Sequence, residues 1–350
     1  MAENRSKDHG SLAAGRDWGH SMAVIPVSIV TGFLGSGKTT LIARILRDAG
    51  FARTAVIVNE FGEVGLDHEL IASSTETLMA LTTGCLCCAV RSDLVATLLE
   101  LRQRSDAYDR VLIETSGLAD PAPILHALMT DPDVAATHAI DTVATLVDAV
   151  HGEAALDRHP EARRQAGLAD VLVLSKTDVV EPSATLRQRL AALNPGAAVC
   201  ETSAIDPAAL FTATDAGRRA ERMATLPDQP APPVFDRARH TDGIESTTLR
   251  RDTPVPALAL TLLLQALAEH CGDRLLRVKG LVDIAEMPGQ PAVIHGVQHV
   301  FSPPEFLDGW PSDDHSTRLV FIARGLPRYF PARLLAAIEE EVREETAATR

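Results

Sequence analysis

Eight consecutive residues, Gly32-Phe33-Leu34-Gly35-Ser36-Gly37-Lys38-Thr39, fit the pattern GxxxxGK[ST] without a mismatch. The pattern restricts the fold because its chemistry needs a strand before it and a helix after it. Val24 to Val30 is an apolar run, and Leu41, Ile42, Ile45 and Leu46 repeat at helical spacing. Glycines let the backbone turn its N–H groups toward anionic oxygens, and a helix N-terminus adds the positive end of its dipole. Gly32, Gly35, Ser36, Gly37, Lys38, Thr39 and Thr40 are therefore candidates for a phosphate cradle. Lys38 is expected to reach β- and γ-phosphates, and the Thr39 hydroxyl to ligate Mg²⁺, a compact cation that takes oxygen ligands.

Short β-rich runs alternate with helical patterns from Val24 to about Leu226, the signature of a parallel sheet with crossover helices. The expected strands are Val24–Val30, Ala55–Val58, Val111–Glu114, Thr142–Val147, Val171–Leu174 and Ala198–Cys200. Ligands of such sheets sit beyond the carboxyl ends of the strands, so the loops there should converge on one nucleotide. Pro227, Pro230, Pro232 and Pro233 then break the pattern. Beyond them, Ile244–Leu249, Leu275–Ile284, Ala292–Val297 and Leu319–Ile322 read as strands, with helices over Val255–His270 and Pro331–Val342. The expected fold class is α/β, a P-loop domain with a mostly parallel sheet and flanking helices, followed by a smaller α+β domain. Its divisions are a disordered tail at 1–22, the P-loop domain at 23–226, a Pro-rich linker at 227–243 and the second domain at 244–346.

A length of 350 residues suits two domains, and 46% apolar residues suffice for two cores. The formal net charge of −14 argues against nucleic acid as a partner, since phosphate backbones are held by clustered Lys and Arg. The polar start of the chain lacks the apolar segment of a secretory signal. Val255 to Ala268 is interrupted by Thr261 and Gln265 and falls short of the roughly 20 residues that span a bilayer, so no membrane partner is expected. Five cysteines, three of them within Cys85, Cys87 and Cys88, do not make a disulfide framework for a chain of this size. A reducing, cytoplasmic location is the simpler reading.

Three further segments carry chemistry. Val111 to Gly117 is an apolar run ending in Glu114, with Gly117 three residues later, where a P-loop protein keeps a carboxylate on the Mg²⁺ side and a glycine that senses the γ-phosphate. Ser175-Lys176-Thr177-Asp178 follows another apolar strand. Asp178 can accept from the ring N–H and exocyclic amine of guanine, whereas adenine offers no such pair of donors and would leave the carboxylate desolvated. Lys176 would lie along the base and ribose. One strand later, Thr202-Ser203-Ala204 is similar to the loop whose backbone N–H meets guanine O6, so GTP is expected over ATP. The usual guanine motif begins with Asn, and Ser175 departs from it. In Gly84-Cys85-Leu86-Cys87-Cys88, the thiolates suit Zn²⁺, with Co²⁺ or Fe²⁺ as alternatives. A fourth ligand would be Glu63, His68 or water. Between the two sites, Asn59 to Asp67 is glycine-bearing and acidic, and Glu60, Glu63 or Asp120 are candidates to position an attacking water, since Leu118 stands where some GTPases keep Gln.

In this order, GFLGSGKTT, VNEFGEVGLD, GCLCC, ETSGLADP and SKTD resemble the CobW-type P-loop GTPases, a family of metallochaperones, and LLRVKG and HST extend the resemblance into the second domain. The resemblance implies GTP hydrolysis coupled to binding and delivery of a transition metal to a client apo-metalloenzyme. It implies Cys85, Cys87 and Cys88 as thiol ligands, with Lys38, Thr39 and Glu114 at the phosphates and Mg²⁺. Some relatives carry Glu before the Asn of the NEFGE stretch, where this chain has Val58. Two other readings compete: a GTP-binding metal sensor or buffer that sequesters rather than delivers, and a metabolic kinase, against which the guanine loops speak. The client is not specified by any residue, and a homo-oligomer is left open.

Overall fold

The computed structural model describes residues 24–59, 78–80, 89–104, 108–204, 210–211 and 243–348. The tail at 1–22, almost all of the 227–243 linker, Glu60, Glu63, His68, Cys85, Cys87 and Cys88 lie outside the described residues.

The first domain is built on a seven-stranded parallel sheet: β1 (Ile25–Gly32), β2 (Thr54–Asn59), β3 (Leu78–Ala80), β4 (Arg110–Thr115), β5 (His138–Asp148), β6 (Val171–Ser175) and β7 (Ala198–Glu201). Its order is β3-β2-β4-β1-β5-β6-β7, which puts the strand before the GxxxxGK pattern in the centre, between β4 and β5. The six expected strands are present, and β3 is a seventh, paired with β2 from Val56↔Leu78 to Val58↔Ala80. The flanking helices are α1 (Lys38–Ile45), α2 (Ala89–Gln103), α3 (Ala122–Thr130), α4 (Pro132–Ala135), α5 (Gly152–Arg158), α6 (Pro160–Leu168) and α7 (Ala184–Leu193). Local chemistry starts several of them. Asp131 accepts from the N–H groups of Asp133 and Val134 at the head of α4, and the Ser183 hydroxyl accepts from Leu186 at the head of α7. Helices cover both faces: Leu94, Leu98, Ile124 and Leu128 pack on one, and Leu41, Ile42 and Ile45 on the other.

The second domain is an antiparallel sheet of six strands: β8 (Ile244–Arg251), β9 (Leu275–Val282), β10 (Ala292–Val297), β11 (Val300–Phe301), β12 (Glu305–Phe306) and β13 (Thr317–Arg324). The expected strand to Ile284 stops at Val282, because the Asp283 N–H turns to the Thr317 hydroxyl at 2.9 Å. Helices α8 (Ala257–Cys271) and α9 (Phe330–Ala348) lie on one face. The other face packs on the first domain, so alternate residues of β13 enter different cores. Leu319, Phe321 and Ala323 meet α8 and α9, while Val320 and Ile322 meet Ala166, Leu186 and Leu190. Burial on both faces is why this strand reads as an unbroken apolar run.

A charged cluster crosses the junction. Asp170, at the start of β6, accepts on Oδ1 from Arg277 Nη2 at 2.6 Å and Lys279 Nζ at 2.7 Å, and on Oδ2 from the Val143 N–H at 2.9 Å. Arg277 also donates through Nη1 to the Leu168 carbonyl that ends α6. All three charged side chains are buried. Burial by itself would raise the Asp170 pKa, but the adjacent Arg277 and Lys279 outweigh it and hold the carboxyl well below the usual carboxylate range.

Candidate functional site

The GxxxxGK segment leaves the carboxyl end of β1 and enters α1 as the strand–loop–helix its residue types require. Gly32, Gly35 and Gly37 have φ of 142°, 69° and 92°, a region that L side chains avoid. Lys38 is buried, and its Nζ donates to the carbonyls of Gly32 at 3.0 Å and Phe33 at 3.4 Å. Ser36 is buried beneath the loop, whereas Thr40 is exposed.

The end of β4 lies beside this loop through the β1–β4 pairing, which matches Val30 to Glu114. The Thr39 hydroxyl donates to Glu114 Oε1 at 2.7 Å, although the two residues are 75 apart in the chain. Glu114 is only 4% exposed. A hydroxyl and a buried carboxylate in contact form an all-oxygen donor pair of the kind a compact divalent cation takes, so these residues fit Mg²⁺. One residue further toward the carboxyl ends of the same two strands, Thr115 donates to Thr31 at 2.7 Å. Gly117 then passes against the phosphate loop so closely that a Cβ on it would stand 2.8 Å from the Leu34 backbone. Only glycine fits between the two loops without displacing one of them.

The expected base loops come to the same edge of the sheet. The Ser175 hydroxyl donates to the Ser36 carbonyl at 2.6 Å, which ties the SKTD loop to the phosphate loop. Ser175 thus has a role of its own where the usual motif has Asn. Lys176 adopts a positive φ of 58° and donates to Asp148 Oδ2 at 2.6 Å. Burial raises the Asp148 pKa, and the Lys176 hydrogen bond with the N–H groups of Val150 and His151 more than reverses this, so Asp148 stays below the ordinary value. Thr177 donates to the Ser203 hydroxyl at 3.2 Å, joining the two base loops, and Arg44 of α1 donates to the Thr202 carbonyl. Asp178, Ser203 and Ala204 are exposed at this edge, with the Ala204 N–H donating to Glu201 at 3.0 Å. A cavity of about 330 Å³ flanks the phosphate loop, between Phe33 to Ser36, the end of β5, α5 and α6.

Two residues here escape a reading along the chain. Asp148 ends an apolar strand just as Glu114 does, a signal that could have marked it. Gln165 in α6 carries no such signal; its side-chain amide donates to the carbonyls of Gly117 at 3.1 Å and Ala119 at 3.0 Å. The carboxylates Glu60 and Glu63 and the thiols Cys85, Cys87 and Cys88, which belong to the expected water-positioning and metal sites, fall outside the described residues.

Residues 26–201 match the family described as CobW/HypB/UreG, nucleotide-binding domain, and residues 244–340 match the cobalamin synthesis protein cobW C-terminal domain. The zinc chaperone YjiA of Escherichia coli (strain K12) is 33% identical over 335 residues, covering 94% of this chain and 100% of the relative. The zinc chaperone CobW of Pseudomonas aeruginosa is 33% identical over 362 residues, with 93% of each chain covered. In three dimensions the chain is similar to the crystal structure of Zn(II)-bound YjiA GTPase from E. coli, with a TM-score of 0.69 and 27% identity over 91% of this chain and 99% of that one. A match over half the chain, joined by relatives alike from end to end, makes this chain a member of the CobW/HypB/UreG family, with a nucleotide-binding domain followed by a cobW C-terminal domain.

Proposed function

We propose that this chain is a GTP-hydrolysing zinc chaperone of the cytoplasm, which uses the GTP cycle to release metal to a client apo-metalloenzyme. The observation that carries the reading is the contact of Thr39 with Glu114 behind an intact phosphate loop, in a chain alike over nearly its whole length to relatives named as zinc chaperones. In this reading the loop N–H groups and Lys38 hold the phosphates, and Thr39 and Glu114 would hold Mg²⁺, which supplies charge neutralisation at the β- and γ-oxygens when bound. Gly117 presents its N–H to the γ-phosphate. Lys176 lies along the base, Asp178 accepts from the guanine edge, and the Ser203–Ala204 loop faces O6. Glu60 is the candidate to orient the attacking water.

Cys85, Cys87 and Cys88, with Glu63, are the proposed ligands of the carried Zn²⁺. They lie in the chain between the NEFGE loop and the ETSG loop. A change in those loops on loss of the γ-phosphate would disturb ligation, and linkage then requires metal to alter GTP affinity by the same factor that GTP alters metal affinity.

The deciding experiment titrates Zn²⁺, Co²⁺ and Fe²⁺ into the reduced chain with and without GTP·Mg²⁺, beside a Cys87→Ala, Cys88→Ala variant and an ATP control. Tight zinc binding that needs the cysteines and shifts with GTP but not ATP is the expected result. Binding indifferent to nucleotide and to the cysteines would refute the coupling, and failure to load any apo-enzyme would turn the protein into a buffer.

A further inference from the structure

Gln165 sits in the middle of α6 with no exposed surface. A side-chain amide has two N–H donors, and both are spent on carbonyls 46 and 48 residues away in the chain, those of Ala119 and Gly117. The amide orientation follows from its partners, because the reversed one would set a carbonyl oxygen against two others. Its own main-chain carbonyl is held in turn by the Thr145 hydroxyl of β5 at 2.9 Å. The residue is therefore fixed at both ends. The loop it grips has little freedom elsewhere: the Ala119 N–H closes a turn on the Ser116 carbonyl at 3.0 Å, and Gly117 is wedged against Leu34.

In a trans peptide the carbonyl of one residue shares a plane with the N–H of the next, so gripping the Gly117 and Ala119 carbonyls sets the Gly117–Leu118 and Ala119–Asp120 peptide planes, the first of them directly after the Gly117 N–H. From these observations we infer that Gln165 is a positioning residue for the ETSG loop, holding it in the arrangement that meets a γ-phosphate. This rests on the GTPase reading above and adds the device that makes the loop respond to the third phosphate. The same helix also carries the loop's position outward. One turn beyond Gln165, the Leu168 carbonyl accepts from Arg277, and a Cβ at Gly167 would lie 3.4 Å from both Leu276 and Ile322 of the second domain. A displacement of the loop that drags Gln165 must move α6 against that sheet.

The test compares the full chain with Gln165→Met, which keeps the side-chain volume and removes both donors. Affinities are measured for GDP and for a non-hydrolysable GTP analogue, with kcat and KM for GTP. The expected result is a loss on the order of tenfold in preference for the GTP analogue, the scale of one or two neutral hydrogen bonds, with GDP affinity unchanged and kcat reduced. Gln165→Asn, whose amide is one methylene short of the carbonyls, should behave alike and serves if the Met variant does not fold. Equal changes for both nucleotides, or none, would overturn the role of Gln165 while leaving the GTPase reading intact. A wild-type chain that binds neither nucleotide would overturn both.

Discussion

Replacing Asp170 by Asn removes one negative charge from beneath two buried cations and leaves an acceptor of nearly the same shape. Arg277 and Lys279 both contact Asp170 Oδ1, at 2.6 and 2.7 Å, and all three residues are 5 to 8% exposed. Water cannot take over the lost charge there, so the full penalty for breaking a buried pair applies, about 3–5 kcal/mol. Asp170→Leu should be worse by a further ~1–3 kcal/mol, since Asn has one oxygen to offer Arg277 and Lys279 and Leu has none, while the Val143 N–H loses its Oδ2 acceptor in both variants. The triple variant Asp170→Leu, Arg277→Met, Lys279→Met should recover much of the loss, because no uncompensated charge remains. Urea unfolding followed by circular dichroism measures the series, and limited proteolysis shows whether the two domains still unfold together. The pH dependence has a definite sign. The folded carboxyl titrates below its unfolded value, so its contribution is present above about pH 4 and is lost as pH falls further, a loss that Asp170→Asn should not show. A loss under about 1 kcal/mol for Asp170→Asn, or a triple variant less stable than Asp170→Leu, would refute the reasoning.

Two more outcomes follow from single side chains. His138 is 1% exposed, and burial, aided by the nearby Arg102, lowers its pKa from 6.5 to about 4. The unfolded chain then binds the proton first as pH falls, so stability should be complete above pH 6.5 and decline by up to about 3 kcal/mol toward pH 4; a His138→Phe variant with the same slope over that window would contradict this. Glu114→Gln weakens the carboxylate that receives the Thr39 hydroxyl and should raise the Mg²⁺ needed for half-maximal GTP hydrolysis by roughly 10–100-fold. Unchanged Mg²⁺ dependence would remove Glu114 from the site.

What could be read along the chain is what the chain does locally. The phosphate loop carries its glycines, lysine and threonine in one run, and the apolar strand and periodic helix on either side are as local as the loop, so β1, α1 and the cradle between them were legible together. Strand β3 was not, because three residues hold no period, and its place at the sheet edge comes from pairing with β2. The charged residues of β9 mislead in a more instructive way. Arg277 and Lys279 alternate with apolar neighbours, which along the chain is the mark of one wet face. Their face is dry because a carboxylate more than a hundred residues earlier lies under it, and nothing near β9 announces Asp170. Gln165 is hidden by the same logic, since a glutamine on a helix reads as a solvated position. Local chemistry could thus name groups able to touch a nucleotide, while the residues that orient those groups and join the two domains became visible only where separate stretches of chain meet. A search for the coupling between hydrolysis and metal release should begin at those meeting points, with α6 first, because it alone among the described helices holds the ETSG loop through a side chain and the second domain through its terminal carbonyl.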